Sequence, residues 1–294
     1  MRLGTRGSAL ALAQAQLVAD AIGDCEIVVL RTSGDEGAAG DKARWVDTIE
    51  QALAEQRIDL AVHSAKDVPA TPAAGLALLA ALPRAPAEDV LCGAASLAEL
   101  PPGARVGTAS LRRAAQLRAA RADLDVRPIG GNVDTRLARL ADGEGGLAAI
   151  VLARAGLERL GRARDIGAAL DPARFVPAPG QGTIALEGRA GDNDAEAAAA
   201  TAGSSDALAA LRAERALAAA LRADCTSPLG AHAALDGDRL ALRAWAGLPD
   251  GSRWVLDELA GDATRPDATG AALAERMNAV GAAEILALAA EAAA

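Results

Sequence analysis

Three junctions along this chain share one design. An apolar stretch ends, small residues turn the chain, and a helix begins with arginine in or beside its first turn. They are Thr5-Arg6-Gly7-Ser8, Gly107-Thr108-Ala109-Ser110-Leu111-Arg112-Arg113 and Gly130-Gly131-Asn132-Val133-Asp134-Thr135-Arg136. Repeated strand-turn-helix units restrict a chain to α/β layers, with helices covering sheets. They also restrict the ligand, because such folds bind at the carboxyl ends of strands and at helix N-termini, where backbone N–H groups favour anions. Each junction alone has a plainer reading as a helix cap followed by solvated arginines. Successive junctions that all carry arginine favour the anion grip.

The remaining pattern extends this reading. Ser8 to Ile22 predicts a helix ending at Gly23, and Glu26 to Arg31 a short strand. Trp45 to Gln56 predicts a helix and Ile58 to His63 a strand, so the first sheet is expected to be largely parallel. Pro83 and Pro86 mark a boundary, after which strands are expected near Val90, Val106, Val126 and Ala148 to Leu152. Phe175 to Gly182 is a Pro/Gly crossover, Thr183 to Glu187 a further strand and Ser204 to Leu221 a helix. Beyond Cys225 three strand-like segments are separated by Asp236-Gly237 and Pro249-Asp250-Gly251, which are hairpin signals. Two α/β domains with a cleft between them, followed by a separate α+β unit with a three-stranded antiparallel sheet, are the expected fold.

Composition narrows the function. The 294 residues carry a formal charge of −9, yet Arg105 to Arg139 holds eight arginines against three acids. A positive island in an acidic chain suggests a focused anion site rather than a general polyanion surface. Of 30 basic residues only Lys42 and Lys66 are lysine. Arginine is a planar fork suited to carboxylates, whereas lysine is a compact point charge. Three tryptophans, one phenylalanine and no tyrosine argue against nucleic-acid binding by base stacking, and require cores of Leu, Val, Ile and Ala. Cys25, Cys92 and Cys225 show no metal spacing, so no metal site is expected. No signal-peptide signature and no membrane-length apolar run is present, which predicts a cytosolic protein without a membrane partner.

Two further segments could carry chemistry. Lys66-Asp67 follows a buried strand, and a carboxylate there could stabilise a developing cation or form an ion pair at the strand end. His63 reads as a hydrogen-bonded structural residue. Cys225, in a turn at the start of the last unit, could be a nucleophile or attachment point, although its residue type alone favours an inert thiol.

Taken in order, T-R-G-S, H-S-A-K-D-V-P, G-T-A-S-L-R-R, G-N-V-D-T-R-L, L-A-R-A-G-L-x-R-L-G, P-A-P-G-Q-G and C-T-S-P-L-G resemble the porphobilinogen deaminase (hydroxymethylbilane synthase) family over nearly the whole chain. The resemblance implies three domains, the first two hinged like a periplasmic binding protein. Their expected extents are 1–83 with 184–202, 87–178 and 204–294. It implies a monomeric transferase of tetrapyrrole biosynthesis that condenses four porphobilinogens head to tail with loss of ammonia. It implies a dipyrromethane cofactor joined to Cys225 by a thioether, with Lys66, Asp67, Ser110, Arg112 and Arg113 around it. Arg6, Ser8, Arg136, Arg159 and Gln181 would hold substrate. Asp67 would be the central catalytic group, stabilising the cation formed as ammonia leaves, assisted by Lys66 and by Lys42 of a lid. Six rings carry twelve carboxylates, a load that an arginine-lined cleft answers.

Four departures keep a second reading open. Gly130 stands where the family has arginine, and a charge-assisted bond of that type is worth roughly 1.5–3 kcal/mol. The lid from Gly34 to Trp45 is short, Ala85-Pro86-Ala87-Glu88-Asp89 replaces D-P-R-D, and Ala223-Asp224 replaces the small residues before the cysteine. A divergent paralogue making a shorter or different pyrrole product is therefore the alternative. A small-dicarboxylate binding protein is a third reading, which the cysteine disfavours.

Overall fold

The computed structural model describes residues 1–30, 46–69, 71–224 and 226–292. The first sheet holds β1 (Arg2–Arg6), β2 (Glu26–Leu30), β3 (Leu60–Ser64) and β4 (Leu76–Ala81). A second is built from β5 (Asp89–Cys92), β6 (Arg105–Gly107), β7 (Asp125–Arg127), β8 (Leu147–Ala153) and β9 (Ala168–Ala169). The chain then returns as β10 (Ile184–Arg189), which completes the first sheet in the order β2-β1-β3-β10-β4. The second sheet runs β7-β6-β8-β5-β9.

Both sheets are mixed, which corrects the expectation of a largely parallel first sheet. β1 pairs in parallel with β2 and β3, as β6 does with β7 and β8. β10 runs antiparallel to β3 and β4, and β5 antiparallel to β8 and β9. The reason lies in the connections. β5 and β10 are the strands that enter each lobe from the other, so each runs against its neighbours rather than following a helical crossover.

Helices cover both faces. In the first lobe these are α1 (Ala9–Ile22), α2 (Asp47–Ala54) and, after β10, α6 (Asn193–Ala202). The second lobe has α3 (Leu111–Ala120), α4 (Val133–Ala141) and α5 (Arg154–Arg159). Successive residues of β5 enter opposite cores. Val90 and Cys92 pack with Ile150, Leu152 and Leu157, while Leu91 packs with Val106, Leu117 and Val151. Alternation therefore disappears from the sequence of such a strand, as expected when both faces are buried.

The third lobe starts with α7 (Ser205–Ala220). Its sheet is the meander β11 (Leu229–Asp236), β12 (Arg239–Gly247) and β13 (Trp254–Asp262), followed by α8 (Pro266–Ala279) and α9 (Ala282–Glu291). Leu217, Leu240, Leu242, Leu273 and Met277 centre its core. Trp245 faces the other way and packs on Ala115 and Val176, so one of the few aromatics joins the third lobe to the second. Gly251, at a left-handed φ of +76°, lets its loop approach α3 so closely that a side chain would meet Ala119 N at 2.5 Å.

Candidate active site between the lobes

The functional residues cluster where strands end. β1 ends at Arg6, and Ser8 caps α1 by accepting the Ala11 N–H at 3.3 Å. β3 ends at Ser64, and a single 3-10 turn, Ala65–Asp67, follows it with Lys66 and Asp67 half-buried. Two packed side chains support this turn. Gln14 of α1 exchanges hydrogen bonds with Ser64 at 2.9 and 3.0 Å. His63 Nε2 lies 3.0 Å from Glu187 Oε2 on β10, both buried, which is the structural role expected for that histidine. Across the cleft, α1 touches α5, where a side chain on Gly156 would lie 3.7 Å from Leu10.

In the second lobe Ser110 caps α3, accepting the Arg113 N–H at 3.4 Å, and Asn132 caps α4, accepting from Thr135 N at 2.9 Å. Arg112 and Arg113, in the first turn of α3, are buried. Both reach back to Asp89 at the start of β5, each at 2.8 Å. Gln181, from the returning crossover, is also buried and donates to Asp89 Oδ1 at 2.7 Å and to Ala87 O at 2.6 Å. Burial alone would raise the Asp89 pKa. The two guanidiniums overcome it and hold the carboxyl well below the usual range. Arg112, Arg113 and Gln181 thus meet in the hinge, where both crossovers run side by side. Arg112 also donates to Val176 O at 2.7 Å, and Arg113 to Val151 O at 3.2 Å.

Arg136 and Arg159 are placed differently. Each is half-buried and donates to backbone, Arg136 to Gly131 O at 2.8 Å and Arg159 to Gly182 O at 2.6 Å. Neither forms a salt bridge among the described residues, although most arginines here do. Burial lowers both pKa values, and the nearby Arg113 charge lowers that of Arg136 further. A desolvated guanidinium without an internal carboxylate is a donor set available to an external one. The hinge adds to this, since two arginines against one aspartate leave a buried positive charge in excess, and Arg112 Nε has no hydrogen-bond partner among the described residues. This donor set fits a carboxylate-rich group such as a dipyrromethane.

Cys225, Lys42 and the lid around Trp45 lie outside the described residues. The residues flanking position 225 are held tightly. Asp224 Oδ1 accepts from the backbone of Thr226 and of Ser227 at 2.8 Å, and from their hydroxyls at 2.7 and 2.9 Å. Four hydrogen bonds from Thr226 and Ser227 thus converge on one carboxylate oxygen of Asp224. Among the described residues no group of His, Cys, Asp or Glu could hold a metal, and no helix is long and apolar enough to cross a membrane.

Sequence reasoning missed Asp89 as the partner of both arginines, and missed Glu214 and Arg84. Arg84 Nη1 bonds Glu214 Oε1 at 2.6 Å, joining the outgoing crossover to α7. The available signal was Glu214 itself, an acid on the helix face occupied by Ala207, Ala210, Leu211 and Leu217.

Comparison with known proteins gives matches over most of the chain. The family model described as porphobilinogen deaminase, dipyromethane cofactor binding domain, matches residues 1–197, and the C-terminal domain of the same family matches 208–279. The chain is 44% identical to the porphobilinogen deaminase of Bordetella parapertussis, covering 98% of this chain and 95% of that protein. It is 43% identical to that of Thermus thermophilus, covering 97% of each. Among solved structures it is similar to a periplasmic substrate-binding protein of an ABC transporter from Coxiella burnetii. That likeness has a TM-score of 0.43 at 13% identity and covers 71% of this chain and 94% of the other. The methionine-binding protein MetQ gives 0.41 at 16%, covering 68% and 87%. By motif order, by family match and by full-length identity, this chain belongs to the porphobilinogen deaminase family.

Proposed function

We propose that this chain joins four porphobilinogen molecules head to tail, releasing ammonia at each addition, and then releases linear hydroxymethylbilane by hydrolysis. The observation that carries the reading is the pair of half-buried arginines, Arg136 and Arg159, that lack a carboxylate partner among the described residues. Each porphobilinogen brings an acetate and a propionate for such groups to bind. In this reading Arg6 and Ser8 hold substrate from the first lobe, and Arg136 and Arg159 hold it from the second. Gln181 and the Arg112–Arg113 pair set the hinge between them, with Ser110 beside it.

A dipyrromethane, when bound at Cys225, supplies a pyrrole carbon as nucleophile. Lys66, Ser110, Arg112 and Arg113 are the residues to hold its carboxylates. Asp67 accepts pyrrole N–H groups and stabilises the positive charge that develops on substrate as ammonia departs. Lys42, outside the described residues, is given an assisting role by resemblance alone. The cleft limits water until the chain is complete, which separates condensation from hydrolysis. The domain extents 1–83 with 184–202, 87–178 and 204–294, a monomeric state and a cytosolic location belong to the same proposal.

The test is direct. Purified protein is mixed with porphobilinogen, and ammonium release, substrate consumption and product mass are followed. One tetrapyrrole and four ammonium ions per four substrates consumed is the expected result. Binding of porphobilinogen without ammonium release points to a binding protein, and a product shorter than four rings points to the divergent paralogue. Either outcome overturns the proposal.

A further inference from the structure

Glu214 lies on α7 of the third lobe with no exposed surface. Its carboxylate is fully engaged. One oxygen accepts the Gly180 N–H at 2.6 Å, and the other accepts the Ala233 N–H at 2.7 Å and Arg84 Nη1 at 2.6 Å. Gly180 is left-handed, with φ +73°, and a side chain there would lie 2.9 Å from Ala65 C and 3.0 Å from Lys66 N. The Gly180 peptide is therefore packed on the backbone of the turn that carries Lys66 and Asp67. The Ala65 N–H also donates to Thr183 O at 3.0 Å. From the other side Arg215, the next residue of α7, donates to Val68 O at 3.3 Å and to Pro69 O at 2.5 Å. Residues 214 and 215 of the third lobe thus bracket the turn at the end of β3.

We propose that Glu214 is a positioning residue for the condensation, fixing the Lys66–Asp67 turn to the third lobe through Gly180. The proposal rests on the reading that Asp67 stabilises charge on porphobilinogen. Residue type matters here. Donors converge on both oxygens of Glu214, and a carboxylate accepts on both. A glutamine accepts on one oxygen and sets an NH2 group against the remaining N–H. Displacing a catalytic group by an ångström can cost about 10²-fold in rate.

The experiment compares holoenzyme carrying Glu214→Gln, Gly180→Ala or both with wild type. Each is mixed rapidly with porphobilinogen, and addition of the first ring is followed by intact mass. The amplitude counts folded, loaded molecules, whereas the rate constant reports the geometry of the turn. Each single variant should lose at least about tenfold in rate constant, and the double variant should be no more than about threefold slower than the worse single. Hydrogen exchange of the Ala65–Asp67 amides should accelerate in Glu214→Gln. An unchanged rate constant with only the amplitude reduced makes Glu214 merely structural and overturns the proposal. Losses that multiply in the double variant also overturn it, because the two residues then act on separate contacts. If Gly180→Ala does not fold, the rate constant and exchange of Glu214→Gln decide alone. A wild type without turnover counts against the proposed function, and the exchange measurement still decides the Glu214 contact.

Discussion

Three thiols compete for one covalent attachment, and the surroundings of Cys25 and Cys92 disfavour those two. Burial pushes the Cys92 thiol up to about 11, and desolvation also raises Cys25. A thiol that resists ionisation is a poor nucleophile. Cys225→Ser should therefore abolish both the dipyrromethane adduct in an intact mass spectrum and turnover of porphobilinogen. An adduct found on Cys25 or Cys92 would sink the assignment. At Asp67 the discriminating change is Asp67→Asn, which keeps the size and removes the charge. A rate loss of at least ~10²-fold is expected if the carboxylate stabilises a developing cation. Near-normal turnover would leave Asp67 as an ion-pairing residue at a strand end.

At the scale of elements, the hinge depends on Asp89. This fully buried carboxylate at the start of β5 answers two buried arginines of α3 and the amide of Gln181. Asp89→Asn leaves those arginines without a counter-charge. Breaking a buried pair from one side costs about 3–5 kcal/mol. The denaturation midpoint in urea should fall accordingly, and an unchanged midpoint would mean the hinge is held by packing alone. The sign of the pH dependence follows from the depressed pKa. Its contribution is complete above the unfolded carboxylate value of about 3.9 and fades only as pH falls through the much lower folded value. Stability from this site should therefore be flat at every pH above about 4 and fall only in stronger acid.

The same elements mark what a sequence can reveal. Ser8, Ser110 and Asn132 cap their helices as their types and positions predict, because capping is local chemistry. The three C-terminal strands were legible from their hairpin residues. β4 was not, since Leu76–Ala81 is an unpunctuated run of Leu and Ala whose strand state depends on β10 beside it. Strand direction was also hidden, because periodicity carries no sign. Arg112 and Arg113 could be read as arginines at a helix start. Their shared partner, 23 and 24 residues upstream, depends on β5 entering the sheet beside β8, and nothing local encodes that order.

At the scale of the whole molecule, the open question is how far the product grows, and Gly130 addresses it. A Cβ at this position meets nothing within 4 Å, so the side chain of Gly130→Arg starts into open space. Two neighbouring arginines could have replaced the missing charge, but both are engaged. Arg127 pairs with Asp125 at 2.6 Å and Arg154 with Glu158 at 2.7 Å. Arg139 donates to Gly130 O at 3.2 Å, which steadies the loop and leaves the added side chain room to extend. The new guanidinium would join Arg136 near the N-terminus of α4, where negative groups are favoured. One such contact is worth roughly 1.5–3 kcal/mol, or at least about tenfold in the step it serves. The measurement is the number of rings carried by stalled enzyme, read by mass spectrometry in wild type and Gly130→Arg. If Arg136 and Arg159 suffice for the growing chain, wild type steps to four added rings and the variant changes only the rate of one step. If they do not, wild type stalls early, the variant goes further, and the chain is a paralogue with a shorter product.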